Sequence, residues 1–152
     1  MLRISKKYSL YLSMILAVIF LIVCAVTAIM LPMLADTLID VKGAPWEAGD
    51  RIAVLVLAYA LLSVVVLADL LLILLLRRVH RGLVFSRKST DLVRGISWCC
   101  MLLGAVCLGM SRYFRLALVL TFAAVLLGIC LRVVKNVLEE ATEIKSENEL
   151  TI

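Results

Sequence analysis

Four stretches of this chain are apolar for longer than a water-facing element allows: Leu10 to about Ala35, Ile52 to Leu76, Ile96 to Met110, and Leu116 to Leu131. A globular protein spreads its apolar residues along helix or strand periods, because one face of each element meets water. Continuous blocks have no such polar face and require lipid around them. Composition agrees: 64% of the residues are hydrophobic and mean hydropathy is +1.13, whereas soluble domains sit nearer half apolar. The expected fold class is all-α, a polytopic membrane protein whose four transmembrane helices form two hairpins. One membrane domain over residues 1–152 accounts for nearly every position, with spans expected at about 10–35, 52–76, 95–113 and 114–134.

The first block follows a basic start, with Arg3, Lys6 and Lys7. A secretory signal has an apolar region of about 7–15 residues; this block is much longer and lacks a small-x-small cleavage site, so a retained span is expected. Pro32, near its far end, is placed to terminate the helix at little loss. Residues 36–51 are polar, with Asp36, Asp40, Glu47 and Asp50 around a Gly43-Ala44-Pro45 turn, and Trp46 suits the membrane boundary. A connector fits better than a ligand-reading loop, because few residues could converge there. The second block exceeds a ~30 Å hydrocarbon core and is expected to tilt or protrude. The third is barely long enough to cross, so the Ser111–Arg115 connector after it must be tight. The fourth runs without a breaker into an amphipathic helix at about 132–146, where Val134, Val137, Leu138, Ala141 and Ile144 make an apolar stripe.

Charge sets the orientation. The N-terminal segment, the central polar stretch Arg77–Arg94 and the C-terminal tail hold twelve of the sixteen lysines and arginines. By the positive-inside bias, both termini and the central stretch face the cytoplasm. The net charge of +5 therefore points to anionic lipid headgroups at the basic loop. Direct nucleic-acid binding is not expected, since no recognition fold is present and Phe85 is the loop's lone aromatic.

Few residues offer chemistry. The five cysteines, Cys24, Cys99, Cys100, Cys107 and Cys130, fall inside apolar blocks, and His80 is the one histidine. No Cys-x-x-Cys or Cys/His spacing supports a disulfide framework or zinc site, so the cysteines read as small packing residues. No Ser/His/Asp grouping or phosphate-binding loop is present; neither enzymatic activity nor a cofactor or metal is expected. Asp69 is the sole acidic residue within a block. A carboxylate in hydrocarbon must face the bundle, pair with a cation or carry a proton. It sits eight residues before Arg77, roughly 12 Å along a helix. As a structural residue it would hydrogen-bond Thr27, Thr121, Ser97 or a loop cation; as a functional one it would sense protons or cations. The structural role is favoured, because relay partners are lacking. Ala105 with Gly109, and Ala124 with Gly128, form small-xxx-small pairs that would let spans three and four approach closely.

Two polar regions remain as candidate docking surfaces. In the central stretch, Ser86, Ser89, Thr90 and Asp91 suggest a helix start near Ser89, with Leu92, Val93 and Ile96 inward; Phe85, Ser89, Asp91 and Arg94 are the candidate contacts. In the tail, the candidates are Val137, Leu138, Ala141, Ile144, Asn148, Leu150, Thr151 and Ile152. Five tail glutamates (Glu139, Glu140, Glu143, Glu147 and Glu149) oppose a helix lying on anionic lipid and favour contact with the basic loop or with a protein.

The segment VFSRKSTDLVRGISWCC, Val84 to Cys100, and the terminal ENELTI, Glu147 to Ile152, resemble the YoaS-like family of bacterial four-span membrane proteins of unknown function. Phe85, Arg94, Ile96, Asn148, Leu150, Thr151 and Ile152 carry the resemblance. It implies a similar layout over the whole chain and no catalytic residues. Such proteins are often encoded beside a small Cro-type helix-turn-helix regulator, which implies a cytosolic regulator as partner. The expectation is a non-enzymatic regulatory or docking protein that binds this partner through its loop and tail. A small transporter or channel-like oligomer using Asp69, or an accessory subunit of a membrane complex, are the alternatives; homo-oligomerisation is left open.

Overall fold

A computed structural model describes residues 6–42, 48–82 and 86–149, with side chains at 145–149 and at several positions before 49 left undescribed. Four helices make up these residues: α1 (Lys6–Lys42), α2 (Ala48–His80), α3 (Arg87–Met110) and α4 (Leu116–Glu149). Each is long and apolar enough to cross a membrane. Their exposed surfaces are lined with large apolar side chains, from Tyr11 and Ile15 on α1 to Phe122 and Ile129 on α4. Such a surface suits lipid and not water. Trp46, in the segment between α1 and α2, lies outside the described residues.

The helices pack antiparallel in chain order, α1 on α2, α2 on α3 and α3 on α4, as two hairpins joined side by side. Register follows from the contacts. Between α1 and α2, the rings of Tyr11 and His80 meet edge to face at 5.4 Å, and Asp36 pairs with Arg51 at 2.6 Å at the opposite end. That ion pair is half exposed, so it contributes little stability. This arrangement brings the start of α1, the α2–α3 connector and the end of α4 to one end of the bundle, the basic one.

The α3–α4 interface is built from small residues. The buried positions of α3 are Ser89, Thr90, Val93, Ser97, Cys99, Gly104 and Cys107. The Ser97 hydroxyl donates to the Gly128 carbonyl across the interface at 2.8 Å. A Cβ on Gly104 would come within 2.8 Å of Val125 Cγ2 and 3.6 Å of the Thr121 carbonyl, so only glycine allows this approach. Ala124 is buried against α3 as expected, and a Cβ on Gly128 would meet Met101 and Cys100. The expected partners on α3, Ala105 and Gly109, take other roles: Ala105 is exposed, and Gly109 faces Leu57 of α2. The pairing of spans three and four holds, but α3 presents Gly104, one residue away from the expected face. Cys24, Cys99 and Cys107 are buried as packing residues, while Cys130 is exposed.

Pro32 does not end the first helix, which continues ten residues further to Lys42. Proline has no N–H to give the carbonyl four residues back, that of Ala28. The Tyr59 hydroxyl of α2 donates to this Ala28 carbonyl at 3.3 Å. A neighbouring helix thus supplies the missing donor, which is how prolines are accommodated inside lipid-embedded helices. Replacing Tyr59 with Phe should destabilise the protein by about 1 kcal/mol, as expected for a lost hydrogen bond. In a Pro32→Ala background the same replacement should cost less, since alanine restores the backbone donor. Unfolding of the four variants in detergent measures this coupling; an equal cost in both backgrounds would show that Tyr59 does not serve the proline gap.

Candidate functional site

The central polar stretch is mostly helix. Helix α2 persists to His80, and Gly82 follows it at φ 74°, a conformation that glycine adopts without strain. Helix α3 then begins at Arg87, earlier than the start expected near Ser89. Ser86 is the cap. Its extended backbone places Oγ to accept from the Ser89 N–H at 3.3 Å, and the two serine hydroxyls lie 2.9 Å apart. Ser89 and Thr90 are buried, so Ser89 serves the first turn and presents no docking surface. With nine residues added before Ile96, α3 has 24 residues in place of a marginal span.

These extra turns lie beside the extension of α4. The Arg94 guanidinium, between the two helices, approaches Glu139 Oε1 at 3.6 Å and Asp91 Oδ1 at 3.7 Å. Glu139 also pairs with Lys135, one turn back on α4. Around this clasp is a polar cleft of about 620 Å³, lined by Arg87, Thr90, Asp91, Glu139, Thr142 and Glu143. Of the loop candidates, Arg94 thus contacts the α4 extension through Glu139, and Asp91 lines the same cleft.

The tail stripe is divided between two faces. Leu138 and Ala141 are half-buried, whereas Val137 and Ile144 are 60% and 55% exposed. The interior-facing line of α4 runs through Gly128, Leu131, Lys135, Leu138 and Thr142, so polar residues occupy part of the face assigned to apolar ones. Helix α4 continues past Lys145 to Glu149. Asn148 is helical, with its side chain undescribed, and Phe85, Leu150, Thr151 and Ile152 lie outside the described residues. The Glu139 clasp was missed in the sequence, although Lys135 and Glu139 stand at the helical i,i+4 spacing that permits it.

Asp69 is buried, 6% exposed, on α2. It lines an open apolar cavity of about 840 Å³ between α1, α2 and α3 that reaches Leu127 of α4, with Leu16, Phe20, Ile96 and Leu103 among its walls. Its Oδ2 has no hydrogen-bond partner. The expected partners are engaged elsewhere: Thr27 donates to Val23, Thr121 to Ala117 and Ser97 to Gly128, all backbone carbonyls. Among the described residues, no group of three His, Cys, Asp or Glu could hold a metal ion.

The fold defines a multi-pass membrane protein of four antiparallel helices, with a charged cleft at its basic end. The chain belongs to DUF2975, a family described as protein of unknown function, whose model matches residues 4–152. No curated protein and no solved structure matches it.

Among the described residues, no hydrogen bond to Asp69 Oδ2 ties α2 to its neighbours. Asp69→Leu should leave thermal unfolding in detergent unchanged or raise its midpoint, since an unpaired buried acceptor costs about 1–3 kcal/mol. A midpoint several degrees lower would reinstate the structural role.

Proposed function

We propose that this chain is a non-enzymatic docking protein of a bacterial cytoplasmic membrane, holding a cytosolic regulator at its basic end. The observation that carries the reading is the cleft between α3 and the α4 extension, where Arg87 and Asp91 face Glu139 and Glu143. Charges of both signs at one groove suit a protein surface better than a bare lipid layer. Beside it, α4 carries the exposed apolar side chains Val137 and Ile144 one heptad apart, the spacing with which a helix offers an apolar edge to a partner. The lysine and arginine bias supports a cytoplasmic placement of this end and of both termini. The resemblance to YoaS-like proteins supports a helix-turn-helix regulator as the occupant. A shift in the bundle that changes how far the α4 extension docks on the start of α3 would alter the clasp and so the partner's site.

The test is co-expression of the tagged chain with a small Cro-type helix-turn-helix regulator of the kind that the resemblance implies. Deleting Glu147–Ile152, or introducing Ile144→Asp, should lower the captured regulator at least five-fold while membrane insertion is unchanged. Undiminished capture by both variants would refute the reading.

The unpartnered carboxylate oxygen of Asp69 beside its cavity favours a second reading, a transporter or channel-like oligomer. That reading requires ion flux in proteoliposomes that is abolished by Asp69→Ala; absent flux excludes it.

A further inference from the structure

A second cleft lies on the α3–α4 seam, one to two helical turns nearer the apolar part of the bundle. It measures about 230 Å³ and is lined by Arg94, Ser97, Trp98, Arg132, Lys135 and Asn136. We propose that this cleft binds the phosphate headgroup of an anionic phospholipid, with an acyl chain lying along the apolar groove below it.

Its polar chemistry is one-sided. Arg94, Arg132 and Lys135 bring three cations to a space that contains no carboxylate in its lining. Glu139 engages Arg94 and Lys135 from beside the cleft, and Asp91 approaches Arg94. Arg132 has no acidic neighbour within ion-pair distance among the described residues. Its guanidinium carbon lies over the Trp98 ring, 5.3 Å from the centroid, a cation–π contact that does not use its N–H donors. Asn136 accepts from Lys135 through Oδ1 at 3.3 Å, leaving its amide N–H groups as further donors. The Ser97 hydroxyl proton is spent on Gly128 and adds no donor. A preorganised guanidinium with further donors around it matches phosphate oxygens.

The surroundings select a lipid over a free ion. Trp98 is 56% exposed, and one turn further into the apolar region the exposed side chains are Leu102 on α3 and Ile129 on α4, with Val133 beside Arg132. A soluble phosphate gains nothing from this groove, whereas a diacyl chain covers it. Basic pockets between helices at a membrane boundary are suited to such headgroups, and an indole at that level is amphipathic in the same sense. The site shares Arg94 with the central stretch where lipid contact is expected, but Arg77, Arg78 and Arg81 take no part in it.

The full chain, purified in mild detergent, is titrated with phosphatidylglycerol, phosphatidylcholine and inorganic phosphate, and bound lipid is counted by native mass spectrometry. Phosphatidylglycerol should bind to the wild type at least ten-fold more tightly than phosphatidylcholine. Arg132→Gln should weaken it roughly five-fold, the equivalent of about 1 kcal/mol per cation near a bilayer surface, and Arg132→Gln with Lys135→Gln more than ten-fold. Arg77→Gln with Arg78→Gln removes the same charge from outside the cleft and should change it less than two-fold. Arg132→Lys keeps the charge but loses the guanidinium's forked donors; it should retain part of the affinity and serves if the Gln variants fail to fold. Equal losses from the loop pair and the cleft pair would overturn the proposal, leaving only diffuse attraction. So would inorganic phosphate that displaces the lipid at equal concentration, since the groove would then contribute nothing.

Discussion

Hydrocarbon offers no hydrogen-bond donors, so each backbone carbonyl in this bundle must be satisfied by the chain itself. That constraint decides where the hydroxyl groups go. Thr27, Thr37, Ser63, Ser111, Thr121 and Thr142 donate to carbonyls three or four residues back in their own helices. Tyr59 and Ser97 reach across to carbonyls of neighbouring helices, one at the proline gap of α1 and one at the α3–α4 seam. Both inter-helix bonds tie a hairpin together, so the constraint that makes the helices also sets their register. It has a second consequence: Thr27, Thr121 and Ser97 have no hydroxyl proton to give Asp69. The buried carboxylate is left with an unpaired oxygen.

Much of the fold was legible in the sequence because lipid requires long apolar runs, and such runs need no tertiary information to be seen. Four spans, two hairpins, the tight Ser111–Arg115 turn and the packing of α3 on α4 all follow from block length and spacing. The errors share a cause. Pro32 reads as a terminator until Tyr59, on the next helix, is known to serve Ala28. Ala105 and Gly109 form a small-residue pair as good as any on paper, yet which face of α3 meets α4 depends on the neighbours of both helices, and Gly104 proves to be the close contact. The start of α3 is expected only two residues late, near Ser89, although Arg87–Arg94 is charged. A helix that leaves the hydrocarbon no longer needs apolar residues, only a cap, and Ser86 provides one.

The candidate site was legible in outline, from a basic stretch and an acidic tail at the same end of the bundle. The residues that join them were less so. Arg94, a candidate docking contact, is half exposed and reaches Glu139 of the α4 extension, whereas Ser89, another, is buried at the cap. A residue's type gives its chemistry, but rotation about the helix axis decides whether it meets solvent or its neighbour.

Arg94 and Lys135 occupy a position shared by both clefts at the basic end. Each lines the boundary-level cleft with Arg132 and Trp98, and each also holds Glu139, which lines the polar cleft beyond it. A cation drawn toward an anion in the first cleft is less available to Glu139 in the second. The competition gives lipid occupancy and partner docking a route to affect one another, and by linkage any such effect on binding is equal in both directions. If the partner engages Glu139 through its own cations, it competes with Arg94 and Lys135, releasing them toward the lipid, and the two ligands reinforce each other. If it engages Arg94 instead, it competes with the lipid directly. The sign of the coupling therefore reports which member of the clasp the partner takes.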